Sequence, residues 1–280
     1  MSTRAQLIKQ ATAVLQQFRT PQPQAEAEFL LAAAQGITRT QVLAFGNEPV
    51  SAADEQRFLR FIEQKKNGVP VAYITGESDF GGLILHSDPR ALAPRPETEE
   101  LAQYCANLFA RGADPDILDV CTGSGCIALY LAAKFPRARV TATDISTDAL
   151  QLAAENARLT KLQNNVQFLQ SDLFENISGT FDLIVSNPPY IPSGEIAGLS
   201  SEVQQEPKLA LDGGADGLDI IRQLVSVAAD YLNPQGTLAL EIGAGQAGSV
   251  CALFDGRRWE GGIKKDFAGE ERFVFARLKK

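Results

Sequence analysis

The chain is expected to fold as an α/β protein, with a mostly parallel sheet covered by helices on both faces and a small helical domain before it. Three observations lead there. From residue 116 to 242, short apolar runs alternate with helical patterns, the rhythm of βαβ units. Residues 1–69 show helical spacing alone. Two strand-like runs at 262–267 and 272–278 flank Ala268-Gly269-Glu270-Glu271 and read as a closing antiparallel pair.

Residues 1–69 begin with Leu7, Ile8, Ala11, Val14, Leu15 and Phe18, which recur on one helical face. Thr20-Pro21 reads as an N-cap with proline at the first helical position, opening a helix through Glu26, Phe29, Leu30 and Ala33 to Gly36. Ser51-Ala52-Ala53-Asp54 resembles a capping box with Asp in place of Glu or Gln. Phe58, Leu59 and Ile62 then mark an apolar face, and Gly68 ends that helix. This segment shows no chemistry and fits substrate recognition. Residues 70–92 hold the apolar runs 71–74 and 83–85 around Gly76 and Gly81-Gly82, as in a β-hairpin linker. From residue 93 the larger domain follows. A helix is expected from Arg95-Pro96-Glu97 to Gly112, with strands at 116–120, 140–143, 166–169 and 181–185 and helices ending at Phe135 and Leu159. After a long loop come a helix near 220–232 and a strand at 237–242.

Composition narrows the function. No apolar run approaches the roughly 18 residues of a membrane span, so a membrane-integral helical protein is not expected. A net charge of −8 argues against DNA or RNA as the bulk partner, because phosphate contacts dominate nucleic-acid affinity. The four cysteines include no Cys-x-x-Cys pair and His86 is the single histidine. That leaves no zinc pattern and no Ser-His-Asp or Cys-His constellation, so no metal site is expected. Reduced thiols in a cytoplasmic protein are the simpler reading, with His86 an ordinary strand or surface residue. The first 25 residues lack acidic groups and carry Arg4, Lys9 and Arg19, yet their apolar helical face reads as core rather than a targeting signal.

Two glycine loops compete for a cofactor. Gly243-Ala244-Gly245-Gln246-Ala247-Gly248 satisfies G-x-G-x-x-G after a strand, with Asp266 near the expected distance. Too little chain follows to build a dinucleotide-binding half, so this loop reads as a structural turn. The other, Asp119-Val120-Cys121-Thr122-Gly123-Ser124-Gly125, ends the first strand of the sheet, and no Gly-Lys-Ser/Thr follows it. Nineteen residues beyond Gly125, Asp144 ends the second strand, placed to accept both hydroxyls of a ribose. Asp172, in Gln170-Ser171-Asp172, ends the third and can accept from an adenine amino group. Gly123 and Gly125 let backbone approach a ligand closely. Together these describe a nucleoside without phosphates, and S-adenosylmethionine fits.

Asn187-Pro188-Pro189-Tyr190 follows the fourth strand. The Asn187 side-chain carbonyl and the Pro188 backbone carbonyl can each accept one N–H of an NH2 group, and neither proline offers a competing donor. Tyr190 offers a flat face to the planar remainder. An amide or exocyclic amine is a poor nucleophile because its lone pair is delocalised, so the turn points to group transfer onto nitrogen.

Further motifs narrow the reading: Pro70-Val71-Ala72-Tyr73-Ile74-Thr75-Gly76, Phe80-Gly81-Gly82, Pro94-Arg95-Pro96-Glu97-Thr98-Glu99, Glu206-Pro207 with Ala210-Leu211, and Gly213-Gly214-Ala215-Asp216-Gly217. With these the chain resembles the HemK/PrmC family over nearly its whole length. The resemblance implies a Rossmann-like class I methyltransferase domain over 93–280, with a mostly parallel seven-stranded sheet and an antiparallel terminal strand. It implies methyl transfer from S-adenosyl-L-methionine, leaving S-adenosyl-L-homocysteine, to the N5 amide nitrogen of glutamine in the Gly-Gly-Gln motif of peptide chain release factors. Around the cofactor it puts Cys121, Thr122, Gly123, Ser124 and Gly125, with Asp119 opening the loop, together with Asp144, Asp172, Asn187 and Leu173, the last against adenine. Cys121 departs from the family pattern, where glycine is common. Asn187 would orient the substrate amide, Arg95-Pro96-Glu97 would form an active-site wall, and Glu206-Pro207 a lid or clamp. A monomer without nucleic-acid or membrane partners is expected. A ribosomal-protein glutamine methyltransferase and an adenine-N6 methyltransferase acting on DNA or RNA are the alternatives.

Overall fold

The computed structural model describes residues 1–280 apart from Arg19 and Pro21. Two compact units emerge: Met1–Gly76 with Ser200–Gln205, and Glu77–Leu199 with Glu206–Lys280.

The first unit is helical, with α1 (Arg4–Gln17), α2 (Pro23–Gln35), α3 (Arg39–Ala44), α4 (Ala52–Lys66) and α5 (Val71–Thr75). A complete capping box opens α1, Thr3 accepting from the Gln6 amide while the Gln6 side chain takes the Thr3 amide. Leu7, Ala11 and Leu15 turn inward onto Leu30, Leu31 and Phe58, whereas Phe18, just past the helix, stays half exposed. The second helix begins later than expected. Gln22 is its N-cap and Pro23 its first proline, so Thr20 is not the cap; Pro21 and Arg19 lie outside the described residues. Helix α3 escaped the periodicity because six residues are too few to show one; a second capping box, Thr38 with Gln41, defines it. Ser51 caps α4, but Asp54 is one methylene shorter than Glu. Its carboxylate takes the Ser51 hydroxyl at 2.8 Å in place of the Ser51 backbone N–H. Lys65 is buried between Glu26 at 2.8 Å and Glu202 at 2.6 Å, which ties residues 200–205 to this unit.

The run 71–74 is helical rather than extended. The Tyr73 and Ile74 amides both donate to the Pro70 carbonyl, and Gly76 closes the turn at φ 77°. The hairpin therefore starts later, pairing β1 (Glu77–Phe80) with β2 (Leu83–His86), and His86 is an exposed residue at its end.

The second unit continues with α6 (Pro96–Ala106), β3 (Asp116–Val120), α7 (Cys126–Lys134), β4 (Arg139–Asp144), α8 (Thr147–Leu159), β5 (Val166–Gln170) and β6 (Phe181–Ser186). Three short 3-10 turns within 196–210 precede α9 (Asp219–Ala228), β7 (Leu232–Glu241), α10 (Ala247–Cys251), β8 (Trp259–Lys265) and β9 (Glu271–Leu278). The sheet order is β5-β4-β3-β6-β7-β9-β8. The first five strands are mutually parallel, and β9 runs against both β7 and β8. Helix α6 stops at Ala106, short of Gly112. Leu232 is the first residue of β7 rather than the end of a helix, because it pairs with Phe181.

Ile117, Leu183 and Val185 pack on one face with Ala128 and Leu129 of α7. Leu118, Ile184 and Leu240 pack on the other with Ile221 and Leu224 of α9. Burial on both faces explains the unbroken apolar strands. After β3 the chain builds β4 and β5 on one side, then crosses to β6 on the other. Such a switch point leaves a crevice beyond the carboxyl ends of the strands, where open α/β sheets bind ligands.

Candidate active site

The loop after β3 rests on a buried carboxylate. Asp119 Oδ2 accepts from the Thr122 hydroxyl at 2.6 Å and from the Ala128 amide, in the first turn of α7, at 3.2 Å. The Thr122 amide donates to the Thr143 carbonyl at 2.9 Å and carries the β3–β4 ladder into the loop. Gly125 caps α7 at φ 82°, with Ala153 Cβ only 3.1 Å from where its own Cβ would sit. Gly125 is thus needed for close helix packing. Cys121 adopts φ 60°. That left-handed conformation is free for glycine and costs an L residue roughly 1–2 kcal/mol. Burial and the nearby Asp144 charge push the Cys121 thiol up, so it stays neutral.

Burial pushes the Asp119 carboxyl up to about 7 from an ordinary 3.8, with Asp144 adding repulsion. Its Oδ1 has no hydrogen-bond partner among the described residues, which suits a protonated oxygen on that side. Below about 3.8 the folded and unfolded states are both protonated at this group. As pH rises, the unfolded state ionises first, so the Asp119 contribution to stability falls until the folded carboxyl also ionises near 7. Asp119→Asn keeps an acceptor for Thr122 and Ala128 and cannot titrate. The stability difference between wild type and Asp119→Asn, from urea unfolding at several pH values, is expected to shift against wild type between about 4 and 7 and then level off. A difference independent of pH would refute this.

At the end of β4, Asp144 accepts from the Gly123 amide through Oδ2 and from the Ser146 amide through Oδ1, each at 2.9 Å. Each oxygen keeps a further lone pair for a ligand hydroxyl. Asp172 is exposed at the end of β5. Next to it Leu173, at φ 46°, is held by the Ser171 hydroxyl donating to its carbonyl at 2.9 Å. Cys121, Thr122, Gly123 and Ser124 line one cleft together with Asp144, Asp172 and Leu173. Asn187 and Pro189 line the same cleft. Both arginines lining it are already paired. Arg90 grips Asp88 and Glu155, and Arg95 grips the buried Glu206, which also accepts from the Ala93 amide at 3.0 Å. Glu206 therefore ties the loop after β6 to the Ala93–Arg95 strap.

The Asn-Pro-Pro-Tyr turn is braced from three directions. Asn187 Nδ2 donates to the Thr98 hydroxyl at 2.9 Å, and Thr98 donates onward to Glu241 Oε2 at 2.7 Å. The Tyr190 hydroxyl donates to Glu241 Oε1 at 3.3 Å. Burial pushes the Glu241 carboxyl up to about 7, Glu97 adding to it and Arg272 opposing. Gln246 donates to the Tyr190 carbonyl at 2.9 Å and accepts from the Gly243 amide at 2.8 Å. The G-x-G-x-x-G loop is thus a brace for the turn and contributes nothing to the cleft lining.

Four of the expected site residues do not line the cleft: Asp119, Gly125, Pro188 and Tyr190. Asp119 and Gly125 hold the loop from beneath, and Pro188 is buried. Tyr190 is partly buried and packs against the core cluster that includes residues of α9 and β7. Sequence reasoning missed Thr98, Glu241 and Gln246 as partners of the turn. Thr98 sits in a recognisable motif, but Glu241 carries no local signal.

The chain matches the PrmC N-terminal domain over residues 6–76 and the Methyltransferase small domain over residues 102–202. A release factor glutamine methyltransferase of Deinococcus radiodurans is 44% identical over 271 residues, 97% of each chain. One from Moorella thermoacetica is 42% identical over 257 residues, 91% of each. A solved methyltransferase structure from Pyrococcus furiosus aligns with TM-score 0.53 at 22% identity, over 82% of this chain and 99% of that one, a likeness of fold.

Proposed function

We propose that this chain, which belongs to the family of release factor glutamine methyltransferases, methylates the side-chain amide nitrogen of the Gly-Gly-Gln glutamine in a peptide chain release factor. The observation that carries this reading is that Asp144, Asp172 and Asn187, from three different strand ends, line one cleft. The residues fit S-adenosylmethionine: Asp144 has acceptor capacity for ribose hydroxyls, Asp172 for an adenine amine, and the lining arginines are neutralised by carboxylates. When bound, that cofactor supplies an electrophilic methyl group on a cationic sulfur. Gly123 leaves room for it, since a Cβ there would meet only Ala91, at 3.9 Å.

In this reading, Asn187 Oδ1, on the cleft wall, accepts an N–H of the substrate amide and aims its nitrogen along the transfer line. Holding reactants in such geometry is worth roughly 7–11 kcal/mol, enough to make positioning the main contribution. Residues 1–69 serve as the substrate-recognition domain. The net charge of −8 supports a protein substrate without nucleic acid, and four unpaired cysteines support work in a reducing cytosol.

Asp144→Ala removes two charge-assisted acceptors, so cofactor affinity is expected to fall by about 10- to 100-fold in calorimetric titration. Unchanged affinity would dismiss Asp144 as a ribose ligand. The function itself is tested by incubating the enzyme with S-adenosylmethionine and, separately, a release factor, ribosomal proteins and DNA, followed by mass spectrometry. One methyl group on the Gly-Gly-Gln glutamine is expected. Methylation of ribosomal protein or DNA alone would overturn the proposal.

A further inference from the structure

Asn187 can present either end of its amide to a substrate, and only the carbonyl end accepts an N–H. The choice is made behind it. Glu241 accepts from the Thr98 hydroxyl through Oε2 at 2.7 Å and from Tyr190 through Oε1 at 3.3 Å. With Glu241 ionised, Thr98 spends its one proton on that carboxylate, so toward Asn187 it can only accept. Asn187 Nδ2 satisfies it at 2.9 Å. A flipped Asn187 would set its oxygen against the Thr98 oxygen, two acceptors in contact inside a buried site.

We infer that Thr98 and Glu241 are positioning residues that lock Asn187 with its carbonyl oxygen toward the substrate amide. This rests on the reading of Asn187 as the acceptor of that amide. The three groups come from α6, the end of β7 and the turn after β6, so the polarity is set by the sheet rather than by the turn itself.

The test compares methylation kinetics on a release factor for Thr98→Val, Thr98→Ser, Glu241→Gln and Asn187→Ala, each with its unfolding midpoint and its affinity for S-adenosylmethionine. Thr98→Val is expected to lower kcat by about 10- to 100-fold with cofactor affinity within a few-fold. Thr98→Ser should restore most of the rate. Glu241→Gln keeps the shape but can donate as well as accept, so kcat should fall several-fold at near wild-type stability. In the Asn187→Ala background, Thr98→Val should cost little more, because its effect runs through Asn187. A fully active Asn187→Ala would bring down the underlying reading. An impaired Asn187→Ala beside wild-type kcat in Thr98→Val and Glu241→Gln would overturn the inference alone, as would full additivity of Thr98→Val with Asn187→Ala.

Discussion

Replacing Asn187 by alanine is expected to lower kcat for release factor methylation by at least about 100-fold while leaving cofactor affinity within a few-fold. The first part follows from geometry: an amide nitrogen must be aimed at the methyl donor, and misplacing a reacting group by an ångström costs on the order of 100-fold. The second follows from the division of the cleft. Asp144 and the Gly123 amide bond to each other, and Asp172 and Leu173 sit on a different strand end. None of these contacts passes through Asn187, whose side chain is bonded to Thr98. Single-turnover rates and calorimetry on one preparation separate the two effects. A variant that turns over normally would remove Asn187 from the mechanism, whereas one that loses cofactor binding would move Asn187 to the cofactor side.

Gly217→Ala is expected to damage the same turn from outside the cleft. Gly217 has φ 77°, and a Cβ there would lie 2.3 Å from the Tyr190 carbonyl oxygen and 2.7 Å from Gln246 Nε2. Those two atoms are hydrogen-bonded to each other at 2.9 Å, so neither can move without loosening the brace. Left-handed strain and overpacking together should cost about 2–4 kcal/mol of stability in urea unfolding. Displacing the turn should also reduce kcat by about 100-fold. Gly245→Ala is the control: its φ is 81°, yet a Cβ would meet nothing within 4 Å. It shares the strain without the collision, and should lose about 1–2 kcal/mol with little change in rate. Equal behaviour of the two variants would rule out the collision as the cause.

Much of the architecture was legible in the sequence because strand and helix periodicities are local. The parallel strands were long apolar runs buried on both faces, and their order in the chain was readable. Errors fell where local signals were weak or equivocal. The run 71–74 is apolar in either conformation, and its flanking Pro70 and Gly76 decided for a helix turn. Leu232 was drawn from a helical pattern into β7 by pairing with Phe181. Helix α3 was too short to announce itself.

The candidate site divides along the same line. By itself the sequence determined which residues end the strands, and so which side chains reach the crevice: Asp144, Asp172 and Asn187 all line it. Tertiary structure alone decided what stands behind them. Thr98 and Glu241 are 143 residues apart, and Tyr190 and Gln246 are 56 apart. Such partners meet only when the sheet order sets β7 beside β6 and the surrounding helices pack down. A hydrogen bond between distant segments depends on that arrangement, and no spacing along the chain encodes it. The same arrangement turned the better glycine motif, Gly243 to Gly248, into a brace and left the cleft to the other.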